Sequence, residues 1–475
     1  MSGDRGVSAN LPEDTPNITT SGGDPIEPLQ ALADRVVDLV VAHPSGDDHT
    51  VEANARVTRT RHGLTRFANS FIHQHVGEDT VTVAVTVAVD GRSAGASTTA
   101  VDDGSLTALV DRTLTSAARQ PVDPFWPGAT PVEAATFAGN ADPATADADP
   151  STRAAGVKAF VDAGSDLRAA GFLDSEVAWS AFASTAGQRI AGATTRATID
   201  GIHQTATSAG TAHQTSVRIG ELDAGAVGER AADLGRRSAE FVDVDPGSFE
   251  VVLGPEAVAT IVTFLSAYGF NAKAHLEGAS FAHLGEAQFD PGITLIEDPT
   301  DPRAIALPFD AEGSPRQRYD LVRDGVTTSL AHDRRTSVRA ETSTTGNAVP
   351  GGEGFGAIPM NPMLVPGTTS PVEMIRSVER GLLVTQFHYC RILDPKTQAV
   401  TGLTRNGTFL IEKGKVVGAV GNLRFTQSFL AALEPGNVLA IGNDDRHASG
   451  EFGPGMIICP SLHLNTWNFT GGAKG

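Results

Sequence analysis

Ten residues constrain this chain more than any other stretch. Residues 80–89 read Thr-Val-Thr-Val-Ala-Val-Thr-Val-Ala-Val. β-branched side chains stack well on a pleated surface, and strict alternation gives that surface two faces, so the run predicts a strand. Asp90-Gly91 follows, a pair that accepts the positive φ angles of a two-residue hairpin turn. A second strand then runs through Val101. Residues 50–61 alternate in the same way, and 63–75 continue that sheet. Residues 105–119 follow as a helix, with Asp102, Asp103 and Ser105 as candidate caps. Three strands and a helix in this order predict an α+β N-terminal domain built on an antiparallel sheet.

The rest of the chain divides by composition and period. Residues 1–25 hold Ser, Gly, Asp, Pro and Asn with few large apolar side chains, and read as a disordered tail. Residues 28–43 are amphipathic at helical spacing and end at Pro44. Residues 121–150, rich in Pro, Ala and Asp, read as a linker or a long surface loop. A helix is expected over 151–170, antiparallel strands over 172–220, and a joining helix over 224–240. A strand at 249–253 and a helix at 255–267 open the second half. Beyond them come short strands between Gly, Asp and Pro turns, with one more helix at 371–380. The expected domains are therefore 26–240, α+β, and 241–475, β-rich.

Charge narrows the partners. Asp and Glu number 56 against 36 Lys and Arg, a net charge of −20. That field repels phosphate backbones and anionic lipid, which weighs against nucleic-acid or membrane binding. Cys390 and Cys459 are the only cysteines and form no C-x-x-C pair, which suits a reduced, cytoplasmic location. The sequence has neither an N-terminal apolar signal segment nor an apolar run long enough to span a bilayer.

Several short patterns invite a chemical reading. Residues 91–95, Gly-Arg-Ser-Ala-Gly, match the G-x-S-x-G nucleophile elbow, but that motif needs a strand-to-helix turn, and a strand follows Ser93. The glycine-rich stretch 351–356 lacks a Walker lysine and reads as a flexible loop. His388 and Cys390 should share one strand face, with Tyr389 on the other, as a thiol–imidazole pair or a two-ligand metal contact. His275, Glu277 and His283 are a candidate displaced metal set. The two histidines are eight apart, roughly 12 Å along a continuous helix, unless Gly278 breaks it. Cys459 is expected in the terminal strand.

A set of longer motifs carries a resemblance. Val252 opens Val-Leu-Gly-Pro-Glu-Ala-Val-Ala-Thr-Ile-Val-Thr-Phe-Leu-Ser-Ala-Tyr-Gly-Phe. Pro-Phe-Asp-Ala-Glu-Gly follows at 308–313 and Arg-Tyr-Asp-Leu-Val-Arg-Asp-Gly-Val at 318–326. Gly-Leu-Leu-Val-Thr lies at 381–385 and Phe-Leu-Ile-Glu-Lys-Gly-Lys-Val at 409–416. In this order they resemble the TldD/PmbA family of two-subunit zinc peptidases. Residues 65–70 and 93–97 also look like that family. Its catalytic subunits carry H-E-x-x-x-H on the helix that here begins after Leu253. This chain has no histidine from Pro255 through Ala274, where Thr263, Phe264, Ser266 and Tyr268 stand instead. The resemblance is therefore to the TldE (PmbA) subunit.

That resemblance implies a non-catalytic subunit of a TldD/TldE-type zinc metallopeptidase. It would enclose a chamber with a zinc-bearing homologue and act in proteolysis of unfolded or small peptides and in peptide-precursor maturation. It implies no catalytic, cofactor or metal residue in this chain, with zinc in the partner. In catalytic relatives a cysteine near the C-terminus is a further zinc ligand, a role Cys459 has no helix histidines to complete. Two other readings stay open: an autonomous metallopeptidase using His275, Glu277 and His283, and a peptide-binding protein that kept the fold and lost the protease.

Overall fold

In the computed structural model the described residues are 25–46, 48–450 and 456–472. The segment read as a disordered tail lies, but for its last residue, outside them. The chain forms two compact units, and the division cuts through long strands. The first unit takes the described residues up to Thr60, then Asp79–Ala134 and Trp179–Gly192. The second takes Arg61–Glu78, Ala135–Ala178 and the described residues from Ala193 onward. Four strands, Val51–Ala68, Phe71–Val89, Arg168–Ser184 and Arg189–Gln204, each contribute residues to both units.

In the first unit the hairpin forms as its sequence dictates. Val89 pairs with Arg92 and Val83 with Thr98 across Asp90 and Gly91, whose φ angles are +50° and +75°. Both turn residues are left-handed, which matches the twist of the flanking strands. Alternate valines Val83, Val85, Val87 and Val89 are buried beneath the helices Ile26–Val41 and Asp103–Ala117. The second helix is capped by Asp102, whose carboxylate accepts the Ser105 N–H at 2.9 Å. The proline-rich segment is an anchored strap rather than a linker. The Trp126 indole N–H donates to Glu52 at 2.6 Å, and the Ala129 and Thr130 amides donate to Glu52 and Asn54.

In the second unit, helices Pro150–Asp162 and Ala224–Arg237 share a core with Phe67, Leu173 and Ile199. Each begins at an aspartate cap, Asp149 or Asp223. The segment beyond the strap is equally fixed here: the Asn140 side chain donates to the carbonyls of Asp301 and Ala304. A ten-stranded sheet and a six-stranded sheet fill the remainder. In the ten-stranded sheet Gly247–Leu253 lies between Arg380–Val384, parallel to it, and the terminal strand Leu462–Gly472, antiparallel to it. Four buried aromatics, Phe387, Phe425, Phe429 and Trp467, stack beside that terminal strand within 4.7–6.4 Å of one another.

Helix Pro255–Tyr268 follows the Gly247–Leu253 strand directly. Pro255 fixes the first helical φ, where no backbone donor is lost. Ten of its fourteen residues are buried. A helix apolar nearly all round belongs inside a core rather than on a surface.

Candidate functional site

The buried helix has two differently occupied sides. Val258, Ile261, Val262 and Leu265 pack against Phe289, Ile293, Leu295 and Val322 in the core. Thr263, Ser266, Ala267 and Tyr268 instead wall a cavity of ≈380 Å³. Its other walls are Phe355, residues 358–360, Pro362, Ala448, Gly450, Met456 and Ile457. The lining is predominantly apolar, the usual character of a site for a small molecule or side chain. Thr263 spends its hydroxyl on the Ala259 carbonyl at 2.8 Å. The Ser266 hydroxyl is buried with no hydrogen-bond partner. The Tyr268 ring meets Phe355 edge-on at 6.0 Å.

The wall opposite the helix is fixed from behind. The Asn271 amide donates to the Phe355 carbonyl at 2.9 Å, and its oxygen caps the Ala272–Leu276 helix through the Lys273 and Ala274 amides. Glu297, fully buried, accepts from Arg316 at 2.6 Å, Asn347 at 3.0 Å, and the Met360 and Asn361 amides at 3.3 and 2.9 Å. Burial pushes its carboxyl upward against the opposing pull of Arg316. Four donors on one carboxylate leave segment 358–362 little freedom.

A second polar cluster sits at the start of the same helix. Glu256 in the first turn receives Arg446 at 2.8 and 3.0 Å, with His213 Nδ1 3.6 Å away. The Ser449 amide donates to His213 Nε2 at 3.1 Å, so the neutral imidazole carries its proton on Nδ1, toward Glu256. Burial opposes the Glu256 charge, but Arg446 and His213 outweigh it and hold the carboxyl below its ordinary range. Asp200, nearby and largely desolvated, is shifted the other way.

The residues singled out in the sequence are dispersed. Ser93 lies inside the hairpin, opposite Ala88, so no nucleophile elbow forms. The helix carrying His275 stops at Leu276, and Gly278 turns at φ +68°. Glu277 is exposed and pairs with Lys273 at 2.9 Å, while His283 is exposed in the next loop. Among the described residues no three His, Cys, Asp or Glu side chains are grouped to hold a metal ion.

His388 and Cys390 do not share a face. Tyr389 adopts φ +55° and the pairing slips between His388 and Arg391, a bulge that sends Cys390 into the core with Phe387. Cys459 lies not in the terminal strand but in the short strand Ile457–Cys459 of the six-stranded sheet. Its thiol points at the Pro255 carbonyl, 3.2 Å away, and burial pushes its pKa well up. The glycine-rich loop is no phosphate cradle; its Phe355 closes one side of the cavity. Sequence reading missed His213, Glu256 and Arg446 entirely. A glutamate in a helix first turn is too common a sight to signal anything alone.

An α+β chain of this topology, with hydroxyl and aromatic side chains where a buried helix meets an apolar cavity, has the TldE structural architecture. A solved TldE from Thermococcus kodakarensis matches it with a TM-score of 0.80 over 94% of this chain and 99% of that one, at 16% identity. A Thermotoga maritima protein described as a candidate modulator of a DNA gyrase matches with a TM-score of 0.80 over 92% and 100%, at 17% identity. Residues 246–471 match the family described as PmbA/TldA metallopeptidase C-terminal domain. A metalloprotease of Methanothermobacter thermautotrophicus is 27% identical over 47% of this chain and 50% of its own length. A metalloprotease TldD homolog of Buchnera aphidicola is 25% identical over 42% and 41%. The chain spans about half the length of the curated relatives it matches. Its residues 246–471 are thus similar to the PmbA/TldA metallopeptidase C-terminal domain, its fold is TldE-like, and its sequence lacks the H-E-x-x-x-H motif.

Proposed function

We propose that this chain is the non-catalytic subunit of a heteromeric TldD/TldE-type zinc metallopeptidase, acting in the cytoplasm on unfolded or small peptides and on peptide precursors. One observation carries the reading. The cavity-facing side of helix Pro255–Tyr268 presents Thr263, Ser266, Ala267 and Tyr268. Zinc hydrolysis needs imidazole, thiolate or carboxylate donors converging on the ion. Neutral hydroxyls do not fit that requirement, and the Cys459 thiol is engaged with a backbone carbonyl. A zinc-bearing homologue would supply the metal and the proton-accepting carboxylate. No helix among the described residues is long and apolar enough to cross a membrane.

The test uses the full chain with and without a zinc-bearing homologue. The purified, chelator-treated chain should hold well under one zinc by elemental analysis and be inert on unfolded peptides. The mixture should co-elute on size exclusion, and cleavage should need both chains. Tight one-to-one zinc that is lost in His275→Ala or His283→Ala would instead support an autonomous enzyme. A homologue that cleaves equally well alone would leave a peptide-binding protein.

A further inference from the structure

Three strands at one edge of the ten-stranded sheet, Phe387–Asp394, Ala399–Thr404 and Leu423–Ser428, have one face in the core and the other in solvent. Cys390, Val400 and Phe425 belong to the core face. The register fixes the solvent face. Arg391 lies opposite Thr401, and Thr401 opposite Thr426. In the next row His388 lies opposite Leu403, and Leu403 opposite Arg424. Residues directly opposite in an antiparallel pair share a face, so these six make one surface. Arg391, Arg424 and Thr426 are exposed on it, as is Arg405 just past the end of the middle strand. Strand spacing and rise put the Cα atoms of Arg391 and Arg424 about 12 Å apart.

The sign of this surface opposes that of the chain. Against a net charge of −20, the three strands carry one carboxylate, Asp394, and the neighbouring terminal strand Leu462–Gly472 carries none. Asp394 sits at a strand end and is engaged by the Lys396 amide at 3.0 Å and the Thr397 hydroxyl at 2.8 Å. Apolar contact area accompanies the cations, since Tyr389 is 62% and Leu393 59% exposed. Tyr389 is held left-handed at φ +55° with the His388 ring perpendicular to its own at 4.7 Å. The Arg391 guanidinium donates to the Cys390 carbonyl at 2.6 Å and lies 5.7 Å from the Tyr389 ring centre. Exposed tyrosine and arginine with few carboxylates is the composition of a protein-binding surface. Pairing shifts on either side of Arg391 and Ile392 break the free edge of the outer strand. A further strand finds no regular ladder there, so recognition falls to the side chains of the face.

We propose that this face docks an acidic polypeptide segment of a partner protein. Carboxylates of that segment meet Arg391, Arg405 and Arg424, and an apolar side chain packs on Tyr389 and Leu393. A nucleic acid is the poorer fit. Three arginines can hold a few carboxylates, but the field of a chain at −20 repels an extended polyphosphate. The proposal does not depend on where the zinc of the subunit reading lies.

The full chain is titrated into a fluorescein-labelled peptide of about sixteen residues repeating Glu-Leu-Glu-Gly, with fluorescence anisotropy as the readout. Binding should saturate, and should weaken several-fold between about 0.05 M and about 0.3 M salt as the charges are screened. Arg391→Glu/Arg424→Glu should weaken it by about ten-fold or more, since two attractions become repulsions. Tyr389→Ser should weaken it about three-fold and leave its salt dependence unchanged. Arg66→Glu/Arg168→Glu makes the same change of net charge at exposed arginines of other strands, and should bind like wild type. Arg424→Gln, a neutral change at the surface, should weaken binding about three-fold.

A wild-type chain that does not bind the peptide saturably overturns the proposal. So does equal weakening in the two double variants, which would make net charge the cause. Wild-type affinity in Arg391→Glu/Arg424→Glu, Arg424→Gln or Tyr389→Ser overturns it as well, as does tighter binding of a thymidine oligonucleotide of the same length. Should the double reversal not fold, Arg424→Gln and Tyr389→Ser decide. Because binding is read on the isolated chain, its failure leaves the subunit reading intact, and loss of partner-dependent cleavage leaves the binding result standing.

Discussion

Arg446 and Glu256 lie 190 residues apart in the chain and meet at the first turn of the buried helix, a guanidinium nitrogen 2.8 and 3.0 Å from the two carboxylate oxygens. The strand that carries Arg446 ends at Ala448, which lines the cavity together with Gly450 just beyond it. The pair therefore ties one cavity wall to the helix that forms another. Removing Arg446 leaves Glu256 with the His213 ring, Nδ1 3.6 Å away, as its remaining close side-chain partner.

Arg446→Ala should lower unfolding free energy by about 2–3 kcal/mol, below the full cost of orphaning a deeply buried charge because Arg446 is partly exposed. Glu256→Gln should cost less, since a neutral amide tolerates burial better than an unpaired carboxylate. The pH dependence follows from the lowered carboxyl. The unfolded glutamate, near pH 4.3, takes a proton before the folded one does. The pair's stabilisation is therefore present above that pH and is lost as pH falls through the lower folded value. Denaturant unfolding of wild type and Glu256→Gln at stepped pH should show their difference shrinking below about pH 4.

Glu312 behaves in the opposite sense. Burial, followed by the neighbouring Asp310 carboxylate, pushes it to about 8, and Asp310 itself to about 6. The Arg334 amide donates to Glu312 at 2.8 Å, and three backbone amides donate to Asp310. A raised acid favours the protonated folded state, so its contribution is full below about pH 4.3 and is lost as pH rises through about 8. Wild type should lose on the order of 2 kcal/mol of stability between mildly acidic pH and pH 9, and Glu312→Gln should flatten that slope. Equal slopes for the two proteins would contradict the assignment.

Gly356→Ala tests the cavity wall. Its φ of +105° is closed to L side chains, and a Cβ there would lie 2.4 Å from Asn271 Oδ1 and 2.8 Å from Lys273 Cβ. The substitution should cost about 1–3 kcal/mol through backbone strain and displacement of the Asn271 cap. It should also disturb the Tyr268–Phe355 contact, visible as a change in the near-ultraviolet circular dichroism.

Ser93 sits within a regular antiparallel pair, so in the complex proposed above Ser93→Ala should leave cleavage within about three-fold of wild type. A fluorophosphonate that labels Ser93 would oppose this. Gly91→Val, by contrast, places a β-branched residue at φ +75° in the turn and should destabilise the hairpin by about 1–2 kcal/mol.

Local order was legible in the sequence because it is set by neighbours. The valine alternation through Val89 and the Asp90-Gly91 turn need only pleat and twist to specify a hairpin. The Asp102 cap and the Pro255 helix start follow from backbone groups within one turn. The ordered motifs after Val252 were enough to mark the family, since each is a contiguous string. For the Pro-rich 121–150 stretch, composition records a shortage of helix and strand formers and not the Glu52, Asp301 and Ala304 groups that anchor it.

Tertiary structure alone decided the rest. Alternation placed His388 and Cys390 on one face, but a left-handed Tyr389 shifts the register by a residue and turns Cys390 into the core. The cavity takes its walls from residues 263–268, 355–362, 448–450 and 456–457, whose convergence depends on how two sheets and a helix pack. His213, Glu256 and Arg446 carry no shared local signal for the same reason. Hydrophobic period and turn chemistry act over a few residues and fix each element. Which distant side chains meet is set by close packing of those elements, and so the helix could be read from the chain, while the apolar cavity beside it could not.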